Sequence, residues 1–269
     1  MSTLTITRIA HSSVLIDVDG HAVLTDPWYS ERPGYYHGEP YGITLSNLPR
    51  VDGVAVSHDH YDHYDMQSFA AYPHKEVPFA VKRGTASKAR QARFSQVAEL
   101  EWWESTHLGA FLVTATPARH SVPENTYILQ SAGWTIYFGG DTLLIPALSE
   151  IAPRFPGIDV ALVPINGLMI RPLLNRKLVM NPADAAELCA ILRPRIAVPF
   201  HYAYSAGPLR DRLLLKYHNA PRDLPQEFVE VMATRAPETV VHLLAPGDPL
   251  QVSAAGKHGG EEESTAGQE

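Results

Sequence analysis

The stretch Ser57-His58-Asp59-His60-Tyr61-Asp62-His63 directly follows the apolar run Val54-Ala55-Val56, and this juxtaposition constrains the chain more than any other. Imidazole and carboxylate are side chains that hold divalent metals. On an extended backbone alternate residues point to one side, so His58 and His60 can share one cation. Where the chain turns after Tyr61, Asp62 and His63 can fan out toward a second. A solvated polar turn would account for one such histidine. Three more ligand-type residues weigh against that account, because each lies beyond an apolar, strand-like run. His120 comes after Phe111-Leu112-Val113, Asp141 after Ile136-Tyr137-Phe138-Gly139-Gly140, and His201 after Ile196-Ala197-Val198-Pro199-Phe200.

Composition narrows the class. The 269 residues are 45 % hydrophobic, enough for a substantial core, and the formal net charge is -7. An acidic chain argues against nucleic acid as a partner. The lone cysteine, Cys189, permits no intrachain disulfide and suits a reducing compartment, and its helical position suggests core packing. No signal peptide is visible at the N-terminus, and no apolar run approaches the ~20 residues of a membrane span. These features point to a cytoplasmic protein acting on a small molecule. A homo-oligomer is compatible with them.

Along the chain, Leu4 to Ile6 and Val14 to Val18 read as strands. Asp19-Gly20 supplies a tight turn into Ala22-Val23-Leu24, which delivers Asp26. Residues 28–46 form a long aromatic loop that serves either as a substrate wall or as ordinary packing. Met66 to Tyr72 and Gly84 to Arg93 read as helices, the latter with a solvated basic face. Val77 to Val81, Val97 to Trp102, Phe111 to Thr116, Tyr127 to Leu129, Trp134 to Phe138 and Val160 to Val163 read as strands. The glycines Gly139 and Gly140 let the backbone pass close to a crowded centre.

The clearest helix follows Asn181, with Pro182 at its first position and Ala185, Leu188, Cys189 and Leu192 on one inward stripe; Arg193-Pro194 stops it. Pro208 to Tyr217 reads as helical, whereas Phe228 to Met232 and Thr239 to Leu244 read as strand-like. No internal repeat is apparent. One domain over residues 1–252 is expected, with a tail from Ser253 to residue 269 that has almost nothing to bury.

The ordered set Thr25-Asp26-Pro27, His58-x-His60-x-Asp62-His63, Arg119-His120-Ser121, Gly139-Gly140-Asp141-Thr142 and Phe200-His201-Tyr202 resembles the metallo-β-lactamase-fold hydrolases, up to about Pro246. The resemblance implies an α/β fold, an αββα sandwich of four layers with the metal site at one edge of two sheets. It places His58, His60 and His120 on one metal and Asp62, His63 and His201 on the other, with Asp141 bridging. Asp26 would back a ligand histidine. The expected cofactors are two divalent ions, zinc first and manganese or iron as alternatives.

Such a pair shares a hydroxide, because binding lowers the pKa of water from about 15.7 to about 7. Asp62 would orient it, and no Ser or Cys nucleophile is needed. Oxygen-reducing iron relatives commonly carry Glu where this chain has His60, so hydrolysis is preferred. Pro164-Ile165-Asn166-Gly167, Met180 to Glu187 and Val198-Pro199-Phe200-His201-Tyr202 look like the branch containing L-ascorbate-6-phosphate lactonase, with N-acylphosphatidylethanolamine hydrolases as more distant relatives. The substrate expected is a small ester, lactone or phosphoester, neutral or anionic, contacted by Asn166 and Tyr202. Arg171, Arg176 and Lys177 could meet its charge. The alternatives are a phosphodiesterase acting on a nucleotide or lipid headgroup, and a metal-binding regulator without turnover. His11 stands in His11-Ser12-Ser13, a segment that resembles an early strand running near the site.

Overall fold

The structure, a computed structural model, describes residues 2–217 and 223–254. Its first sheet is built from β1 (Thr3–Ala10), β2 (Ser13–Val18), β3 (His21–Thr25), β4 (Gly53–Ala55), β5 (Phe79–Lys82) and β6 (Val97–Leu100). The second contains β7 (Ser105–Leu108), β8 (Phe111–Thr116), β9 (Thr126–Ser131), β10 (Trp134–Phe138) and β11 (Val160–Pro164). A small third sheet is formed by β12 (Met169–Ile170) and β13 (Arg176–Lys177), and β14 (Ile196–Phe200) returns to the second. The last strands are β15 (Leu215–Lys216) in the small sheet, β16 (Val240–Val241) at the edge of the second and β17 (Pro249–Ser253) at the edge of the first.

The large sheets run β17-β1-β2-β3-β4-β5-β6 and β7-β8-β9-β10-β11-β14-β16. In each order the first three pairings are antiparallel and the last three parallel. The two sheets therefore repeat one pattern, although no repeat is visible in the residues themselves.

Side-chain alternation produces the layers. Val23 and Ala55 face the second sheet, while Leu24 and Val54 face outward. In β11, Val160 and Leu162 enter the same inter-sheet core, and Ala161 and Val163 face the opposite way. Both outward faces are covered. The short helices α1 (Met66–Phe69) and α2 (Ser87–Gln91) pack on the first sheet through Phe69 and Ala89. On the second lie α3 (Ile151–Arg154), α4 (Pro182–Leu192) and α6 (Leu224–Arg235), while α5 (Pro208–Leu213) stands beside the small sheet. Strands buried on both faces need continuous apolar runs, as β10, β11 and β14 have. The arrangement is the expected αββα sandwich.

Local chemistry explains the elements. At the β2–β3 turn Asp19 and Gly20 have φ of 54° and 85°, the backbone a two-residue hairpin requires. The Asn181 side chain accepts from the Asp184 N–H at 2.9 Å, and the Asp184 carboxylate accepts from the Asn181 N–H at 3.1 Å, capping α4 reciprocally. Cys189 is buried among the α4 contacts, and burial pushes its thiol up to about 12, which fits packing rather than reactivity. The basic groups around α2 are paired: Lys88 with Asp59, Arg90 with Glu99, and Arg83 with Glu104.

Several sequence expectations are corrected. Phe228 to Met232 belongs to α6, not a strand, because Asp223 accepts from the Gln226 N–H and Leu224, Phe228 and Met232 form one buried stripe four residues apart. The helix begun at Pro208 ends at Leu213, and Leu215 and Lys216 pair with β12. Only Val240 and Val241 of the 239–244 segment form a strand. Ser253, placed at the start of the expected tail, pairs with Thr3. The rest of that tail from residue 255, together with His218 and His258, lies outside the described residues.

Leu162 is fully buried between the sheets, so Leu162→Ala is expected to cost about 2–5 kcal/mol in urea unfolding. Asn181→Ala should cost about 1 kcal/mol in the same measurement.

Candidate metal centre

The strands carrying the candidate ligands run the same way within each sheet, so their C-terminal ends meet along one edge. Asp26 follows β3, the His58 to His63 run follows β4, Asp141 follows β10, Asn166 follows β11 and His201 follows β14. His120 lies in the loop after β8, and His11 occupies the turn from β1 into β2. Three of these residues have left-handed backbone: His11 at φ 51°, Asp26 at 34° and His201 at 57°. For non-glycine residues that conformation costs of order 1–3 kcal/mol, and such strain concentrates where side chains must be aimed.

Among the described residues three groups of potential ligand atoms form, one of them Asp26 with His58 and His63, and the other two make up the candidate centre. In the first, His60 Nδ1 lies 2.9 Å from His58 Nε2 and 3.3 Å from His120 Nε2. In the second, His11, Asp62, His63 and His201 offer atoms within 4.8 Å of one another. Asp141 Oδ2 joins the groups, at 3.0 Å from His201 Nε2, 3.2 Å from His63 Nε2 and 4.0 Å from His120 Nε2.

Hydrogen bonds on the far side of the rings fix which nitrogen is free. His120 Nδ1 lies 2.9 Å from the Leu178 carbonyl, which can only accept, so Nδ1 carries the proton and Nε2 keeps its lone pair. His63 Nδ1 likewise donates to Asp26 Oδ2 at 2.6 Å, leaving Nε2 aimed at Asp141. Asp26 is held in turn by the Ser57 N–H and hydroxyl, both at 2.7 Å. It therefore stands behind His63, the relation expected of a partner that orients a metal ligand.

The electrostatics fit a cation site. Burial and neighbouring imidazoles push His58 well below its ordinary value; His60 falls to about 4 and His11 to about 3 for the same reasons. These rings are neutral near pH 7 and have lone pairs to offer. Burial opposes a charge on His63, but Asp141 and Asp26 outweigh it and hold the ring well above its ordinary value. A proton and a cation compete for its Nε2. Burial also opposes ionisation of Asp141, yet His201 and His63 hold its carboxyl far below the usual range.

The nitrogens His11 Nε2, His63 Nε2 and His201 Nε2 and the oxygen Asp141 Oδ1 are buried without hydrogen-bond partners. Several such atoms aimed at one place are costly unless something positive lies between them. The residues therefore fit divalent ions, and the imidazole-rich set suits zinc.

The structure brings together all seven expected ligands, His58, His60, Asp62, His63, His120, Asp141 and His201. It places Asn166 and Tyr202 differently. Asn166 is buried, with Oδ1 accepting from the Leu168 N–H at 2.9 Å. The Tyr202 hydroxyl accepts from Arg8, a fully buried guanidinium that also bonds Glu39 and the Leu244 carbonyl. Neither lines the cavity over the ligands. That cavity, of about 120 Å³, is walled instead by Tyr35, Leu168, Ile170, Leu178, Tyr204 and Leu215.

Of the aromatic loop, Tyr35 reaches the cavity. Trp28 is buried, stacked on His37 at 3.6 Å and edge-on to His11 at 4.9 Å, which braces that histidine. The expected anion-facing groups have other partners: Arg171 donates to the Leu215 carbonyl and Lys177 pairs with Asp184.

One residue at the site, Glu124, escapes sequence reasoning, and another, His11, is singled out there only by resemblance. His11 belongs to the second ligand group, 3.4 Å from Asp62 Oδ2 and 4.0 Å between ring centroids from His201. Its sequence signal is the His11-Ser12-Ser13 segment, which resembles an early strand running near the site. Glu124 is buried with Oε1 2.6 Å from the Asp141 N–H and 3.4 Å from His58 Nδ1, so it backs two ligands from the start of β9. Burial and Asp141 push its carboxyl well above the ordinary value.

The model of the beta-lactamase superfamily domain matches residues 21–202, and the chain belongs to that superfamily, with the metallo-β-lactamase αββα fold. An uncharacterized protein of Mycobacterium bovis is 33 % identical over 209 residues, 69 % of this chain; the match spans about half, 54 %, of that protein's length. N-acyl-phosphatidylethanolamine-hydrolyzing phospholipase D 1 of Caenorhabditis elegans is 28 % identical over 261 residues, covering 85 % of this chain and 70 % of that one. Among solved structures, a metallo hydrolase of Ignicoccus hospitalis superposes with a TM-score of 0.71 at 22 % identity, covering 93 % of this chain and 99 % of that one.

Gly140 has φ of 50°, and a Cβ there would stand 2.6 Å from Glu124 Oε1 and 2.8 Å from Ser57 Cβ. Gly140→Ala is therefore expected to cost at least about 2 kcal/mol, read as a lower thermal midpoint. Glu124→Gln should weaken metal affinity about 10–100-fold in chelator competition.

Proposed function

We propose that the chain is a dinuclear metal-dependent hydrolase of a small ester, lactone or phosphoester. The observation that carries this reading is Asp141 Oδ2, one carboxylate oxygen reaching both groups of ligand atoms. His58, His60 and His120 would hold one cation, and Asp62, His63 and His201, joined by His11, the other, with Asp141 between them. Two divalent ions, zinc above all, would supply an acidified water near neutral pH and would polarise the substrate oxygen.

The chain's own residues divide the remaining work. Burial opposes ionisation of Asp62, but the adjacent His11 ring, 3.4 Å away, and the nearby His63 hold its carboxyl well below the usual range. An ionised Asp62 can accept a hydrogen bond from the attacking water and orient it, while being too weak a base to keep the proton. Tyr35 and Tyr204 with the leucine and isoleucine walls exclude bulk water from the small cavity. That size suits the reacting ester or lactone and leaves larger substituents outside. A depression of about 510 Å³ begins on the other side of His120, with Lys82, Trp102 and Arg119 on its rim. It could receive an anionic or planar leaving group.

The lactonase-like reading places the enzyme in the cytoplasm, in keeping with a single buried cysteine. The second reading, a phosphodiesterase, is favoured by Arg119 at that depression and by the phospholipase relative.

Metal analysis of protein loaded with zinc should find two ions per chain, and chelation should lower the thermal midpoint; saturation at ~100 times the dissociation constant corresponds to about 2.7 kcal/mol. A panel of chromogenic esters, lactones and phosphodiesters with zinc or manganese should reveal turnover. His60→Ala is expected to reduce bound metal and lower kcat/KM at least about 100-fold. His11→Ala should weaken the second ion selectively. A fully loaded protein that hydrolyses nothing in the panel would leave the binding-protein alternative standing.

A further inference from the structure

The small sheet and α5 form a cap over the cavity, and the outer side of this cap is unlike the rest of the surface. Leu173, Leu174, Leu209, Leu213 and Leu214 are all exposed, Leu174 at 96 % and Leu209 at 71 %. Leu209 and Leu213 stand four residues apart in α5 and so share a helix face. The turn bearing Leu173 and Leu174 follows β12, and the Arg171 N–H donates to the Leu214 carbonyl at 2.9 Å, which ties that turn to the end of α5. Single exposed leucines need no explanation; five joined through adjoining elements do.

Charge is segregated with them. Residues 168–177 and 207–217 contain Arg171, Arg176, Lys177, Arg210, Arg212 and Lys216, against one acid, Asp211. That acid is engaged by the Ser205 hydroxyl, the Ala206 N–H and the Tyr217 hydroxyl. Lys177 is paired with Asp184, and the five other basic residues against one engaged acid leave the cap cationic on a chain whose net charge is -7.

We propose that this cap docks on an anionic lipid surface, with the leucines entering the headgroup and acyl boundary and the surrounding arginines and lysines meeting lipid phosphates. Protruding leucines ringed by cations have the composition of an interfacial binding element. The same charge argues against a second copy of the chain as the occupant, because a two-fold contact through this patch would set like-charged arginines and lysines against one another. The inner side of the cap, through Leu168, Ile170 and Leu215, lines the cavity. Docking therefore sets the lipid surface against the outer side of a wall of the cavity, whatever reaction the site performs.

The test is co-sedimentation of the full chain with vesicles of phosphatidylcholine alone and of phosphatidylcholine with about 30 % phosphatidylglycerol. The expected result is binding at least about tenfold tighter to the anionic vesicles, weakened by high salt. Leu173→Ser combined with Leu174→Ser should reduce that affinity about tenfold or more, with the thermal midpoint unchanged because both positions are exposed. Arg212→Gln with Lys216→Gln should abolish the preference for anionic lipid. Protein that stays in the supernatant with both vesicles overturns the proposal, as does binding indifferent to the leucine pair. A dimer in solution that the leucine substitutions convert to monomer, without vesicle binding, assigns the patch to a second copy instead.

Discussion

The site depends on one carboxylate oxygen being held, almost without solvent, between imidazoles from opposite sheets. Asp141 Oδ2 can sit 3.2 Å from His63 and 3.0 Å from His201 only because β4, β10 and β14 end at a common edge. Such a buried carboxylate is tolerable when positive charge surrounds it and its backbone is fixed. Glu124 fixes that backbone by accepting the Asp141 N–H, and Gly140 lets the chain pass where a side chain would collide with Glu124 and Ser57. The centre is thus braced from behind before any substrate arrives.

The two large sheets explain why the chemistry lies where it does. Each has three antiparallel pairings followed by three parallel ones, and the strands beside the switch are buried on both faces. Polar groups have no place within those strands. They collect in the connections beyond the strand ends, where loops can turn sharply and side chains can converge. The left-handed conformations at His11, Asp26 and His201 record the cost of that convergence. A repeated sheet pattern without a repeated sequence is expected when packing demands only apolar residues of suitable size at alternating positions.

Above this rigid floor, the cap is built from a different kind of structure. Its strands are two residues long and its side chains divide into an inner apolar wall and an outer surface of leucine and basic residues. The candidate ligands follow strands with large cores behind them, whereas the elements that wall the cavity are small.

The amino-acid sequence by itself determined the metal motif, the order of its distant partners, the apolar runs of the central strands and the caps of α4. Each depends on neighbouring residues or on a spacing that only an extended strand or a helix satisfies. It misread Phe228 to Met232 because a short alternating apolar run fits strand and helix alike until packing against α4 decides. It could not place β17, whose partner is β1 at the opposite end of the chain. Tyr202 lies next to His201 in sequence, yet Arg8 holds its hydroxyl while Tyr204 faces the cavity. His11 and Glu124 acquire their roles through contacts far apart in sequence, with Asp62 in one case and with Asp141 and His58 in the other. Local pattern decides which residues can bind a cation; only the folded backbone decides which of them meet, because convergence is a property of strand direction and packing between sheets.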